Sequence, residues 1–226
     1  AGYVNNSFAL SIFRLLAHDN DSYTKQLVAM FEVMPSQLFP LNYSHVFTNF
    51  VYPLGRAYNC VYACADRWQS IKFLQDMQAE LGITTDVYSL RLPDFVNIRA
   101  QLFSGDIALP HCGVELKEVK DINVDGYPTC FLNNPLQHFY YQLATVRNGA
   151  KNIDKGEGLT DDLFRSFCVG AHYLDRPDVV DLLLDEPVAA SDEEYKPHVA
   201  SYSAAASVSA SNIARSDSRG APIIVS

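Results

Sequence analysis

Five cysteines and six histidines are the residues of this chain with the widest chemical range, and their spacing decides how far that range extends. Cys60 and Cys64 stand four apart, as do Cys168 and His172, and such a pair on a helix can chelate zinc. No C-x2-C knuckle accompanies them, and Cys60 and Cys64 sit among Val61, Tyr62 and Ala63, where cysteine behaves as a small buried apolar side chain. His111-Cys112 is the other pairing. With His138, His172 or His45 brought close, it makes a candidate thiol site in which histidine activates a sulfur nucleophile. Neighbours on a loop point apart, so only the fold can assemble that site. There is no G-x-S-x-G elbow, and the glycines stand singly apart from Gly156-Glu157-Gly158, which reads as a helix-entry loop and not a phosphate cradle. The acids Asp185-Glu186 and Asp192-Glu193-Glu194 suit calcium in kind but lack EF-hand spacing, and they read as a solvated run. The sequence therefore assigns no catalytic residue, no cofactor and no metal.

The net charge of -9 is concentrated. Residues 175–194 carry eight acids against Arg176, or -7, which leaves -2 for the rest of the chain. A near-neutral body with an acidic band lacks the basic stripe of a dedicated nucleic-acid binder. Candidate contacts to phosphates or to an acidic partner reduce to Arg56 and Arg67, eleven residues apart, and to Arg91 and Arg99 around the next helix; ordinary surface ion pairs are the competing reading. The odd number of cysteines, with no framework spacing, fits free thiols in a reducing compartment. No run reaches the roughly 18 apolar residues of a membrane span. The start, Ala1-Gly2, fits removal of an initiator Met or cleavage of a precursor.

The elements that must position these residues read mostly as helix. Ser7 to Ala17 is apolar on most faces and reads as a buried helix, and a second follows through Tyr23, Leu27, Val28, Met30, Phe31 and Met34. Residues 35–53 read as irregular chain around one short helix. From Leu54 to Leu81, Leu54, Tyr58, Val61, Ala65, Trp68, Ile71, Leu74, Met77 and Leu81 recur at spacings of three and four, which predicts one long helix ended by Gly82. A strand follows over 83–90, a helix from Pro93 to Phe103, strands within 107–132, and helices over 135–147, 160–171 and 175–185. The expected fold is mainly α, a helical bundle built on the long helix near 54–81 with a small β element near 107–132. It divides into a helical domain, 1–186, and an Ala/Ser-rich C-terminal arm, 187–226.

In that arm twelve of the seventeen residues from Ala200 to Ser216 are Ala or Ser, too little apolar surface to offset the entropy of ordering. Tyr202, Arg215, Arg219, Ile223, Ile224 and Val225 give it charged and apolar means of docking on a neighbouring subunit. With the aromatic-rich body, small acidic subunit and missing chemistry, this resembles virus coat proteins, in profile over the whole chain and through no shared motif. The resemblance implies a self-assembling shell or filament subunit of a virion, with copies of itself and viral nucleic acid as partners, and it carries over no functional residue. The alternative is a cytoplasmic enzyme or ligand-binding domain with a site around His111 and Cys112.

Overall fold

The first two runs expected as helices are strands at the centre of a sheet. The computed structural model describes residues 7–19, 22–33, 35, 41–66, 70–110, 122–124, 127–129, 135–148, 153–154, 161–185 and 223–225. In it Phe8–Ala17 is β1 and Tyr23–Val33 is β2, paired as an antiparallel hairpin. β1 is apolar on both faces because both are covered: Phe8, Leu10 and Ile12 enter one core, and Ala9, Phe13 and Leu15 the other. A strand buried on both sides loses its alternation, and its apolar run then reads equally well as buried helix.

The long helix is also corrected. A short helix α1 (Tyr43–Val46) and a π-helical turn (Phe47–Val51) lead into α2 (Tyr52–Ala57). The helical path stops at Asn59, whose φ of 48° lies in the left-handed region that asparagine tolerates. Tyr62–Ala65 then forms β3, Ile71–Leu81 forms α3 and Thr84–Val87 forms β4. The stripe spaced by threes and fours therefore joins residues from two helices and the fully buried strand between them. Gly82 does end α3, at φ 69°. A Cβ built there meets nothing within 4 Å, so the cost of Gly82→Ala is conformational alone. We expect it to destabilise the chain by about 1 kcal/mol, read as a lower urea midpoint.

The remaining elements are α4 (Leu92–Ser104), β5 (Ile107–Ala108), β6 (Ile122–Val124), β7 (Tyr127–Thr129), α5 (Pro135–Thr145), the pair β8 (Arg147–Asn148) and β9 (Ile153–Asp154), α6 (Asp162–Tyr173), α7 (Pro177–Asp185) and β10 (Ile223–Val225). The main sheet runs β4-β3-β10-β1-β2-β7-β6, with β5 alongside β2. β10, β3 and β4 are mutually parallel, and β1 is antiparallel to both β10 and β2. The architecture is thus mixed α/β and not a mainly α bundle with a minor β element. The strands near 107–132 form only one edge of the sheet.

Helices cover both faces. On one, α6 lies across β1, with Phe167 against Phe13 (5.3 Å between ring centres) and Phe139 of α5 (4.8 Å); α4 and α7 complete this layer through Phe95, Ile98, Val179 and Leu183. On the other, Val46, Phe47, Val51, Phe73, Leu74 and Met77 pack under Phe8, Leu10, Ile12 and Phe31. Among the described residues no helix is long and apolar enough to cross a membrane.

Candidate functional site

One irregularity in β2 aims an acidic side chain into the α6 layer. Ile12 pairs with Ala29 and Phe13 with Leu27, so Val28 is an extra residue, a β-bulge. Before it, Lys25 and Leu27 face α6; beyond it, Met30 does, and Glu32 follows in the same alternation. Without the bulge the period of two would send Glu32 to the opposite face. Glu32 is fully buried, across the ladder from Ala9.

Two other residues meet it there. The main-chain N–H of Ser7 donates to Asp162 Oδ2 (3.0 Å), and the Ser7 hydroxyl, with one proton to donate, lies in hydrogen-bonding reach of both that oxygen (2.7 Å) and Glu32 Oε1. Asp162 is the first residue of α6, so the start of β1, the end of β2 and the start of α6 converge on two carboxylates and one hydroxyl. Burial, and then the Glu32 charge, push the Asp162 carboxyl above the ordinary aspartate range, against the opposing hydrogen bonds from Ser7. Its neighbour Asp161 is occupied otherwise, in an ion pair with Arg165 (2.5 Å).

Asp162 differs from the ionic cluster around buried Lys25 in having no basic counter-charge among the described residues. Lys25, toward the other end of β2, is paired with Asp175 and also donates to Gln101 (2.8 Å) and the Ala171 carbonyl (3.0 Å). For Asp162, no ion pair with a basic side chain occurs among the described residues. Buried charges are ordinarily paired or bound to a cation. One further group lies near Asp162, and another acid lies level with Glu32 three strands away. Tyr43, at the start of α1, is 41% exposed, packs edge-on to Phe8 (6.4 Å) and is close enough to Asp162 for that charge to raise its phenol pKa after burial has done so. Asp66 follows β3 in the alternation of Tyr62 and Cys64, which face α6, and by register it lies level with Ala9 and hence with Glu32; it accepts from Ser89 (3.2 Å). Glu32, Asp66 and Asp162 thus occupy the end of the sheet where the parallel strands β3 and β4 finish, the customary place for a site in such sheets. Among the described residues no three His, Cys, Asp or Glu side chains are close enough to hold a metal ion together.

The residues singled out from sequence are not brought together. Arg56 is exposed on α2, whose helical path stops at Asn59; Arg67 lies outside the described residues. Arg91 and Arg99 are exposed on the first residue before α4 and within it, Arg99 over the Phe103 ring (5.8 Å). His111 and Cys112 lie outside the described residues, as does the side chain of His138. His172 stacks on Tyr88 (4.3 Å), 3.6 Å from Asp94. Cys60, Cys64 and Cys168 are buried free thiols, and burial pushes the pKa of each upward. A maleimide added to the native chain should leave all three unlabelled in peptide mapping; rapid labelling of Cys64 or Cys168 would contradict their burial. Tyr202, Arg215 and Arg219 are outside the described residues, whereas Ile223, Ile224 and Val225 are β10, paired with β1 and β3 of the same chain and not presented as an outlying arm.

Sequence reasoning passed over Ser7, Glu32 and Asp162. The available signal was Glu32 itself, a lone acid inside the apolar run Val28-Ala29-Met30-Phe31-Glu32-Val33, and the adjacent acids Asp161-Asp162 at a helix start. Comparison of the chain with protein-family models, with curated proteins and with solved structures finds no significant match in any of the three.

Proposed function

We propose that this chain is a divalent-cation-dependent hydrolase of phosphodiesters, with a nucleic-acid strand as its substrate. The observation that carries the reading is the pairing of buried Glu32 with half-buried Asp162, two carboxylates on one hydroxyl with no basic side chain against Asp162 among the described residues. All the donors are oxygens, which suits a hard cation such as Mg²⁺ or Mn²⁺ over zinc. Magnesium keeps several waters and is held through one or two carboxylates together with substrate phosphate oxygens. A pair of carboxylates is therefore a fitting protein contribution, and it favours a phosphate-bearing substrate.

When bound, the cation supplies charge stabilisation at a phosphoryl oxygen and a more acidic water. Glu32 and Asp162 fix its place, and the surrounding core, Phe8 and Phe164 included, holds them there. The half-exposed ring of Tyr43 gives a flat apolar surface beside the carboxylates, of the kind on which nucleic-acid bases stack.

The coat-protein reading has no supporting observation in the fold. It rested on an arm docking elsewhere, and the last apolar residues of that arm pair inside this chain's own sheet. The test is incubation of the full chain with fluorescent single-stranded DNA, duplex DNA and RNA, with Mn²⁺, with Mg²⁺ and with EDTA. Cleavage of at least one substrate that needs the cation supports the reading; no cleavage of any of them with either cation contradicts it.

A further inference from the structure

β1 and β3, the strands on either side of β10, are both held in place without it. Phe13 of β1 packs against Phe167 of α6 (5.3 Å between ring centres), and Tyr62 of β3 packs against Tyr173 of the same helix (5.8 Å). On the opposite face Ile12 and Ala63 belong to one core. β2 and β4 pair with the outer edges of the two strands. Neighbouring strands lie about 4.8 Å apart, so the inner edges of β1 and β3 stand roughly 10 Å from each other, too far to pair directly. The residues along those edges, Ser11 to Phe13 and Tyr62 to Cys64, are all buried. Two buried main-chain edges therefore face a gap one strand wide, and buried main-chain groups need partners.

β10 fills that gap in a fixed direction, antiparallel to β1 and parallel to β3. Ile223 lies opposite Phe13 and Tyr62, and Val225 opposite Ser11 and Cys64. Only three residues do this, and 37 residues of sequence separate them from α7. Added strands of this kind are held by main-chain pairing, which does not need a covalent link between the strand and its groove. We infer that the space between β1 and β3 is a strand-binding groove and that Ile223–Val225 occupies it as a separable ligand, so that an extended apolar peptide of that sequence binds there in trans once the tethered strand is out. The groove involves neither Glu32 nor Asp162 and is independent of the proposed activity. The end of the chain is then a strap whose docking closes the sheet, and its release opens two edges to another strand.

The experiment is fluorescence anisotropy with a fluorescein-labelled peptide of residues 219–226, added to full-length wild type and to full-length Ile224→Pro, whose own strand is unfit for the middle of a sheet. The peptide should bind Ile224→Pro saturably and raise its urea midpoint toward that of wild type, as a ligand of the folded state does. It should bind wild type at least about 100-fold more weakly, because the tethered strand competes at a high effective concentration. A peptide carrying the same proline should bind neither chain. No binding to Ile224→Pro at about 1 mM peptide overturns the inference, since a tethered strand acts at about that concentration. Equal binding to the two chains also overturns it, by placing the peptide elsewhere, and so does equal binding of the proline peptide. Should Ile224→Pro be unfolded alone, far-UV circular dichroism after refolding with each peptide is read in the same way. Recovery with the wild-type peptide only supports the groove, and recovery with neither or with both overturns it.

Discussion

Glu32→Gln abolishes cation-dependent cleavage, by about 10³-fold or more, equivalent to roughly 4 kcal/mol of lost transition-state stabilisation. Glutamine keeps the size of the side chain and can still meet Ser7, so the core around Met30 and Phe164 stays filled. What disappears is one of the two negative charges that a hard cation needs. Asp162→Asn has the same effect on cleavage and a second, opposite effect on stability. Because burial and the Glu32 charge raise the folded-state pKa of Asp162 above its unfolded value, the folded chain holds that proton more tightly than the unfolded chain does. The ionised carboxylate is then a cost to folding that is fully present above the folded pKa and is relieved as the pH falls through it toward the ordinary aspartate range. Asparagine removes the cost. In EDTA the variant should be more stable than wild type at pH 7, with the difference shrinking as the pH is lowered. Urea midpoints across that range measure it, and a variant less stable than wild type at pH 7 would mean that the Ser7 hydrogen bonds to the carboxylate outweigh the cost of its burial.

The same acid explains why the site is hard to read from sequence. Glu32 stands in a run that reads as helix, where a single acid is expected to point to solvent. Only the pairing of β2 with β1, and the bulge at Val28, turn it inward beside α6. Neither is a local property. Asp162 and Ser7 are 155 residues apart, and nothing in the spacing of either suggests the other. By contrast, features fixed by nearby residues are legible. Pro93 and Gly105 bracket α4, Gly82 ends α3, the β-branched run after it is β4, and the late helices begin and end within a few residues of their capping and Pro signals. The misread elements share one cause. β1, β2 and β3 are covered on both faces, so their apolar residues carry no period, and the resulting runs favour helix only by their length. Fold class followed from that error, because the misread strands are the middle of the sheet.

The strand hardest to foresee is β10, which is separated from α7 by 37 residues and is three residues long. Its position gives it more influence than its length suggests. Ile224 pairs with Ile12 of β1 on one side and with Ala63 of β3 on the other, so β10 is the only described link between the β1–β2 hairpin and the parallel β3–β4 unit within the sheet ladder. It also sets the register that brings Asp66 level with Glu32. Proline at 224 removes a main-chain donor from the middle of a sheet, where proline is hardly tolerated. We expect Ile224→Pro to cost at least about 3 kcal/mol, a large share of the 5–15 kcal/mol that typically holds a domain together. Deletion of residues 223–226 should act in the same direction and leave β1 and β3 as unpaired edges, a recognised route to aggregation. Urea midpoints with light scattering test both variants. An unchanged midpoint for Ile224→Pro would mean that the strand does not contribute to the sheet. The concentration dependence of the wild-type midpoint separates pairing within one chain from exchange between copies: a strand supplied by its own chain gives a midpoint independent of protein concentration, and a strand supplied by a neighbour gives one that rises with it.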